Sequence, residues 1–197
     1  MHIYNSESDI WKSFLSGNEK AFSTLYYMYA DVLFSYGYKI VSDREIVKDA
    51  IQELFIKLYN NKENLSETEH VKFYLFKALR NRLISKLESR TLISLDADND
   101  DLLFEIEIAS TEEDDDPEEI FSEDQKKELS RAMKTLTSRQ REAIYLRYIR
   151  EISIEDIAAM LNMNYQSARN LIHRSIQKLR KELLTAIFIL LHSYLNS

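Results

Sequence analysis

The chain has 197 residues, enough for one medium-sized domain or two small ones, and its hydrophobic content of 45% is sufficient to form buried cores. Only two Gly and one Pro are present, which disfavours hairpins and favours long helices joined by plain loops. The absence of Cys excludes disulfides and cysteine metal sites and fits a reducing cytoplasm, and the sequence predicts neither a signal peptide nor a membrane-spanning segment.

The formal net charge of −7 is distributed unevenly along the chain. Residues 1–90 carry 13 Lys or Arg against 12 Asp or Glu, whereas residues 91–125 carry 15 acidic residues and no basic one. Residues 126–197 carry 13 basic residues against 6 acidic ones. This pattern predicts a near-neutral domain and a basic domain separated by an acidic segment, so the negative total does not exclude nucleic-acid binding.

Residues 1–90 are predicted to form a helical bundle. Apolar residues that start at Trp11 and again at Phe22 recur at spacings of three and four, which is typical of amphipathic helices. Gly17 and Asn18 interrupt the two runs and predict a break between the helices.

Two more helices are predicted on either side of a polar loop. Ser42 and Asp43 offer caps for a helix with apolar residues at helical spacing up to Leu58. The segment 60–69 is polar and aperiodic, which predicts a loop, and the apolar positions from Leu75 to Leu87 predict the next long helix.

Residues 91–122 are predicted to be an acidic linker. They hold the only proline, Pro117, among blocks of like charge that repel one another and remain extended unless a partner neutralises them. Five apolar residues interrupt the acid, so part of the linker is predicted to dock on another surface. These residues are Leu102, Leu103, Phe104, Ile106 and Ile108.

Residues 123–184 are predicted to form a second domain of four helices. Thr137 and Gln140 have the spacing of a capping box, and Ser153 and Asp156 have similar S-x-x-D spacing. The last two helices are separated by a four-residue break and have the layout of a helix-turn-helix. The apolar tail, residues 185–197, could extend the last helix, pack on the domain or contact a partner.

In a helix-turn-helix the second helix enters the major groove, so its outward face needs side chains that reach base edges and phosphates. Arg pairs with guanine, and Gln or Asn pairs with adenine. The predicted DNA side consists of Tyr165, Gln166, Ser167, Arg169, Asn170, His173, Arg174 and Lys178. The predicted packed side consists of Ala168, Leu171, Ile172, Ser175 and Leu179. The alternative from spacing alone is an amphipathic helix pair with a solvated basic face.

Motifs in both halves of the chain resemble one family. The N-terminal motifs are Gly17-Asn18-Glu19-Lys20-Ala21-Phe22, Asp49-x-x-Gln52-Glu53-x-Phe55-x-Lys57 and Leu79-Arg80-Asn81-Arg82-Leu83-Ile84. The C-terminal motifs are Leu136-Thr137-Ser138-Arg139-Gln140-Arg141-Glu142 and Ile157-Ala158-x-x-Leu161. Their order and separation resemble regions 2 and 4 of the extracytoplasmic-function (ECF) group of the sigma-70 family. The run 165–171 is similar to the version common in sigma factors of Bacteroidota.

The resemblance implies an all-α fold of two helical domains and the role of an RNA polymerase sigma factor, which directs core polymerase to promoters and assists DNA melting. The implied partners are the β′ clamp helices and β flap of core polymerase, promoter DNA and an anti-sigma factor. It implies no enzymatic activity and no catalytic residue. The residues themselves predict no metal site, no cofactor, no membrane insertion and a cytoplasmic location.

The resemblance also implies roles for individual residues. Core polymerase would contact Asp49, Gln52, Glu53 and Lys57. The loop 60–71 would capture a base flipped from the −10 element, and the neighbouring −10 contacts would be Phe73, Tyr74, Lys77, Arg80, Asn81 and Arg82. The helix-turn-helix would read the −35 element, and the acidic linker would enter basic channels of the polymerase as a nucleic-acid mimic.

Several alternatives remain open from the residues themselves. A stand-alone helix-turn-helix regulator could use the N-terminal bundle to sense a ligand or to dimerise, and a helical adaptor would need no DNA at all. Phe73 and Tyr74 could belong to the core, the polar face around Gln52 could be merely solvated, and the linker could be a plain spacer. An enzyme is the least favoured class, because neither a phosphate-binding loop nor a metal-ligand cluster is present in the sequence.

Overall fold

The computed structural model describes residues 4, 6–91, 104–105 and 123–195, and for residues 89–91, 123 and 185–195 it describes the backbone only. The chain divides into two compact units, Met1–Asn99 and Asp100–Ser197. The described residues form helices and turns without a strand, which confirms the predicted all-α fold class. Most of the predicted linker lies outside the described residues.

The N-terminal unit is a bundle of four α-helices. They are α1 (Glu7–Leu15), α2 (Glu19–Ile40), α3 (Arg44–Asn60) and α4 (Val71–Thr91), with a 3-10 turn at Lys62–Asn64 in the loop before α4. Ser6, Asn18 and Asp43 each accept backbone N–H bonds at the start of a helix. Such caps satisfy the amide groups that the first turn leaves unpaired, which fixes where each helix begins. Of the two residues predicted to cap α3, Ser42 and Asp43, it is Asp43 whose side chain accepts the backbone N–H bonds.

Close packing of α2 against α3 and α4 sets the shape of this bundle. Gly37 of α2 lies where an added Cβ would be 2.8 Å from Val47 Cγ1 and 3.2 Å from Leu83 Cδ1. A glycine is therefore needed for the three helices to approach this closely. The apolar faces predicted from periodicity are buried here, with Leu33, Tyr36 and Leu79 fully enclosed.

The C-terminal unit also has four α-helices. They are α5 (Glu123–Lys134), α6 (Ser138–Ile144), α7 (Ile154–Met160) and α8 (Tyr165–Leu195), and α6 continues as a π-helical turn at Tyr145–Ile149. The predicted capping box of Thr137 and Gln140 is present, and the Ser153 side chain caps α7. The helix predicted to end near Leu184 continues to Leu195, so the backbone of the apolar tail extends α8.

Phe104 attaches the linker to the C-terminal unit. Its ring is 1% exposed and its centroid lies 5.5 Å from that of Tyr145. The Arg141 Nε donates to the Phe104 carbonyl over 2.7 Å, and the same guanidinium donates to the Leu136 carbonyl over 2.5 Å. The predicted docking of the linker is thus observed at Phe104, while the other four apolar residues predicted with it lie outside the described residues. Among the described helices, none combines the length and the apolar character that crossing a membrane requires.

Candidate nucleic-acid interface

A cavity of about 550 Å³ opens between α3, the loop that follows it and α4. Its volume lies within the usual range for sites that bind small molecules. Five predicted site residues from two different groups line it together: Glu53 and Lys57 from the predicted polymerase contacts, and Tyr74, Asn81 and Arg82 from the predicted −10 contacts. The complete lining is Glu53, Leu54, Lys57, Leu58, Asn61, Leu65, Tyr74, Ala78, Asn81, Arg82, Ser85 and Lys86.

One carboxylate dominates the electrostatics of this cavity. Glu53 Oε2 accepts from Arg82 Nη1 over 2.5 Å, and Glu53 Oε1 accepts from Lys86 Nζ over 2.9 Å. The hydrogen bond from Lys86 is the main reason that the pKa of Glu53 lies below its ordinary value, and Arg82 adds to the effect. Glu53 is therefore ionised at neutral pH and joins α3 to α4 across the cavity.

The loop of the cavity is held by the first helix of the bundle. Trp11 Nε1 donates to the Ser66 carbonyl over 3.1 Å, and Ser8 Oγ donates to Glu69 Oε1 over 3.1 Å. Lys12 also lies 3.6 Å from the Glu67 carboxylate. The bracing by α1 was not predicted, because the sequence gives no signal that residues more than fifty positions apart are in contact.

The two aromatic residues among the predicted −10 contacts, Phe73 and Tyr74, have different surroundings. The Tyr74 ring packs against Trp11, with centroids 5.3 Å apart, and also lines the cavity. Burial raises the pKa of its phenol, so this hydroxyl stays protonated and can donate or accept a hydrogen bond. Phe73 is half-buried, with Lys77 Nζ 5.3 Å from its ring centroid, and it does not line the cavity.

The predicted basic face of α4 needs one correction. Arg80 is only 8% exposed, so it does not share an exposed face with Asn81 and Arg82. Helical geometry gives the reason: residues two apart differ by about 200° around the axis, which sends Arg80 and Arg82 to opposite sides. Lys86, four residues after Arg82 and on the same side, is the cation that the sequence reasoning missed.

The polar residues of α3 are split between two sides of that helix. Gln52 lines a second, mainly aromatic cleft of about 370 Å³, together with Tyr26, Ile56 and Tyr59. Glu53, the next residue, faces the cavity described above because one residue corresponds to about 100° of rotation. Asp49 is exposed. The predicted polymerase-binding face is thus the ridge of α3 that separates the cleft from the cavity.

The C-terminal unit contains the predicted helix-turn-helix in α7 and α8. Asn162 adopts φ 51°, the left-handed conformation expected of the turn, and the Asn164 side chain accepts from Ser167 N over 2.8 Å to cap α8. Arg139 Nη2 donates to the Leu161 carbonyl over 2.6 Å and fixes the end of α7. On the predicted packed side Ala168, Ile172, Ser175 and Leu179 are buried, and Leu171 is half-buried.

The opposite side of α8 is exposed, as its sequence pattern predicted. The exposed residues on this side are Tyr165, Gln166, Ser167, Arg169, Asn170, His173, Arg174 and Lys178. Gln166 Nε2 donates to Asn170 Oδ1 over 3.1 Å, which aligns two amides that can each pair with a base edge. Lys178 donates to the Thr135 carbonyl, so it helps to terminate α5 in addition to any role at the surface.

No cluster of His, Asp or Glu among the described residues has the arrangement of a metal site. The lining of the cavity and the exposed side of α8 offer hydrogen-bonding groups, aromatic rings and cations. These are the groups that recognise nucleic acids through bases and phosphates.

Comparison with known proteins identifies the two units. A family model for sigma-70 region 2 matches residues 25–92, and one for sigma-70 region 4 matches residues 126–179, together more than half of the chain. The match to region 2 argues against the alternative of a sensing or dimerising N-terminal bundle.

Curated relatives match nearly the whole chain. The ECF RNA polymerase sigma factor SigW of Bacillus subtilis (strain 168) is 24% identical over 183 residues, covering 87% of this chain and 94% of SigW. SigX of the same organism is 24% identical and covers 84% of each chain. These relatives do not test the similarity to sigma factors of Bacteroidota, which stays a prediction.

Solved structures show the same fold. The sigma factor RpoE of Bartonella quintana, solved with the anti-sigma factor NepR, has a TM-score of 0.58 at 22% identity and covers 83% of this chain and 97% of RpoE. CnrH, solved with the cytosolic domain of CnrY, has a TM-score of 0.57 at 18% identity, covering 91% of this chain and 97% of CnrH. With both regions matched in order and ECF sigma factors as its relatives, the chain belongs to the ECF group of the sigma-70 family of RNA polymerase sigma factors.

Proposed function

We propose that the N-terminal unit binds a base of the melted −10 element in the cavity between α3 and α4, while the exposed face of α8 reads the −35 element as duplex. The observation that carries this proposal is the convergence of the loop and of Asn81 and Arg82 on one cavity. The motif resemblance assigns both the loop and these two residues to the −10 element.

The chemistry of the cavity suits an unstacked base. The Asn81 amide is exposed, and it can both donate to and accept from a base edge. Tyr74 offers part of an aromatic ring, against which a base can stack for about 1–3 kcal/mol. Leu65 and Ala78 supply apolar surface. A base taken out of the duplex stack needs such a combination of stacking and edge contacts.

The surface of α8 suits intact duplex. Its exposed side chains lie along a single helix that starts at a capped N-terminus, and this geometry fits a major groove. Arg169 and Arg174 are both exposed and can make bidentate contacts with guanine or bind phosphate. The two units therefore handle two forms of DNA: a single strand in a concave site and a duplex on a convex face.

Core polymerase is proposed to bind the α3 ridge at Asp49 and Gln52. Both residues are exposed, and Gln52 adjoins an aromatic cleft that offers apolar contact area. Glu53 and Lys57, which the motif resemblance also assigns to the polymerase, lie at the edge of this ridge and line the cavity. The β flap is proposed to bind the C-terminal unit.

Three further features of the proposal follow from family membership. An anti-sigma factor is a proposed partner, since RpoE was solved in complex with the anti-sigma factor NepR and CnrH in complex with the cytosolic domain of CnrY. Sigma factors are initiation factors rather than catalysts, and we propose that this chain has no enzymatic activity of its own. It would act in the cytoplasm, where the polymerase acts.

A pair of variants, each expected to impair a different step, tests whether the two units bind different forms of DNA. Asn81→Ala should reduce promoter opening by core polymerase with this sigma factor and leave binding to the −35 duplex unchanged. Arg169→Ala should lose about 1–3 kcal/mol of discrimination at one −35 base pair and leave opening of a pre-melted promoter unchanged. The measurements are in vitro transcription on genomic fragments, start-site mapping and permanganate footprinting. Equal loss of both steps in either variant would contradict the proposal.

The polymerase contact has its own test. Gln52→Ala should weaken binding to core polymerase, measured by anisotropy of a labelled chain, and leave the melting temperature unchanged. Glu45→Gln on the same helix is the control, because Glu45 is exposed and pairs only locally with Lys48 at 2.8 Å. Unchanged affinity of Gln52→Ala would remove this residue from the interface.

A further inference from the structure

The carboxylate of Glu53 neutralises the cations that lie deepest in the cavity. Arg82 and Lys86, the two residues it binds, have side chains that are 24% and 29% exposed, whereas that of Glu53 is 46% exposed. The two cations are on α4 and the carboxylate is on α3, so the two ion pairs connect the helices on either side of the cavity. Lys57 is the third cation of the lining.

An unpaired cation in a strand-binding site has a predictable cost. Phosphates are identical in every nucleotide, so a cation that binds phosphate adds affinity for all sequences and no discrimination between them. Cations inside this cavity that were not held by Glu53 would draw the backbone into it and leave the base outside. A carboxylate held between them both removes that attraction and repels a phosphate directly.

We propose that Glu53 is a positioning residue that makes this cavity select a base rather than a phosphate. It does so by holding Arg82 and Lys86 against the cavity wall and by excluding backbone oxygens from the space that the base occupies. The inference rests on the proposed function of the cavity in −10 binding. It gives Glu53 a role in DNA discrimination, separate from the polymerase contact that the motif resemblance implies.

The surroundings of Glu53 support this role. Its low pKa, caused chiefly by the Lys86 hydrogen bond, keeps the carboxylate charged at neutral pH. Glu45, also on α3, provides a contrast, because its ion pair with Lys48 is local and both side chains are more than half exposed. The Glu45–Lys48 pair does not line the cavity.

The test uses the full chain and three labelled single strands, dA12, dC12 and dT12, in anisotropy titrations from about 50 to 200 mM salt. Glu53→Gln should bind all three strands more tightly at low salt, by roughly threefold to tenfold, as expected for one or two new phosphate contacts. The slope of log K against log salt should steepen by about 0.7 to 1.4. The ratio between the tightest and the weakest strand should shrink toward one.

Glu45→Gln is the matched control and should reproduce the wild-type affinities and slope. A Glu53→Gln variant with wild-type slope and wild-type discrimination overturns the inference but leaves the proposed −10 cavity intact if Asn81→Ala still weakens binding. A uniform loss of affinity with a lower melting temperature assigns Glu53 to the fold alone. A wild-type chain that binds none of the three strands, alone or with core polymerase, overturns both proposals.

A double variant tests whether Glu53 acts through Arg82. In an Arg82→Gln background, Glu53→Gln should change the salt slope by no more than about half of its effect in the wild type, because the Arg82 cation is then absent and cannot turn toward a phosphate. An undiminished effect would mean that Glu53 contacts the strand without Arg82 as intermediary, and the positioning role would be wrong.

Discussion

The two units present their proposed DNA-binding residues in opposite ways. On α8 the residues lie on consecutive turns along one exposed side of the helix, and the charged side chains of Arg169, Arg174 and Lys178 are exposed there. In the N-terminal unit Tyr74, Asn81 and Arg82 line a cavity built from α3, a loop and α4, and two of its three cations, Arg82 and Lys86, are paired with Glu53. A convex surface of this kind depends on one helix being docked, whereas the cavity depends on the packing of the whole bundle. The predictions below test how far that difference extends.

The largest effect is expected at the residue that braces the cavity loop. Trp11 is 1% exposed, packs on Tyr74 and donates to the Ser66 carbonyl. Trp11→Ala should lower the unfolding free energy of the N-terminal unit by roughly 4 kcal/mol, since it removes a large buried side chain and leaves a void. Urea denaturation followed by circular dichroism measures this loss.

Trp11→Phe separates packing from loop anchoring. It keeps most of the buried ring but removes the hydrogen bond to Ser66. The fractional loss of single-strand binding free energy should therefore exceed the fractional loss of unfolding free energy. Duplex binding by α8 should be retained in both variants. If Trp11→Ala abolished duplex binding as well, the two units would not be energetically independent.

A smaller loss is expected at Phe104, where the C-terminal unit has its own long-range contact. Phe104→Ala should cost roughly 3 kcal/mol of stability because it removes a buried ring and empties the site against Tyr145. Glu105→Ala is the control, since that residue is exposed. Equal unfolding midpoints for the two variants would show that the docked linker does not stabilise this unit.

A gain in stability is expected at a strained backbone position. Glu151 has φ 55°, a conformation that costs a residue with a Cβ about 1 kcal/mol or more. Glu151→Gly should therefore raise the stability of the C-terminal unit by up to about 1 kcal/mol, once the greater freedom of glycine in the unfolded chain is subtracted. Asn162→Gly should gain less, because Asn tolerates φ 51° better. A lower melting temperature for Glu151→Gly would mean that the Glu151 side chain makes a compensating contribution.

The smallest effect is the pH dependence of the Glu53 ion pairs. The folded-state pKa of Glu53 lies below its ordinary value of 4.5, so its stabilisation is present above that value and is lost as the pH falls through the lower folded value. Because the side chain is partly exposed, the loss should be modest. Thermal melts of wild type and Glu53→Gln between neutral and acidic pH should therefore converge as the pH falls. Parallel curves would indicate that these ion pairs add nothing to stability.

The sequence by itself determined what local periodicity and local hydrogen bonding can determine. The helices of both units, the caps at Asp43, Thr137 and Ser153, and the exposed face of α8 depend on residues three or four positions apart, which interact in any helix. The ECF identity was likewise visible in its motifs, because each motif is short and the two sets occur in order.

Only the tertiary structure decided which polar residues share a site. It buried Arg80, placed Glu53 in the cavity between α3 and α4, braced the loop with Trp11 and docked Phe104 on the C-terminal unit. The physical reason is the same in each case: helical spacing shows which residues share one face, but not which other element that face meets. Packing between the helices decides which element each face contacts. Where the helices approach as closely as they do at Gly37, the packing permits only one arrangement.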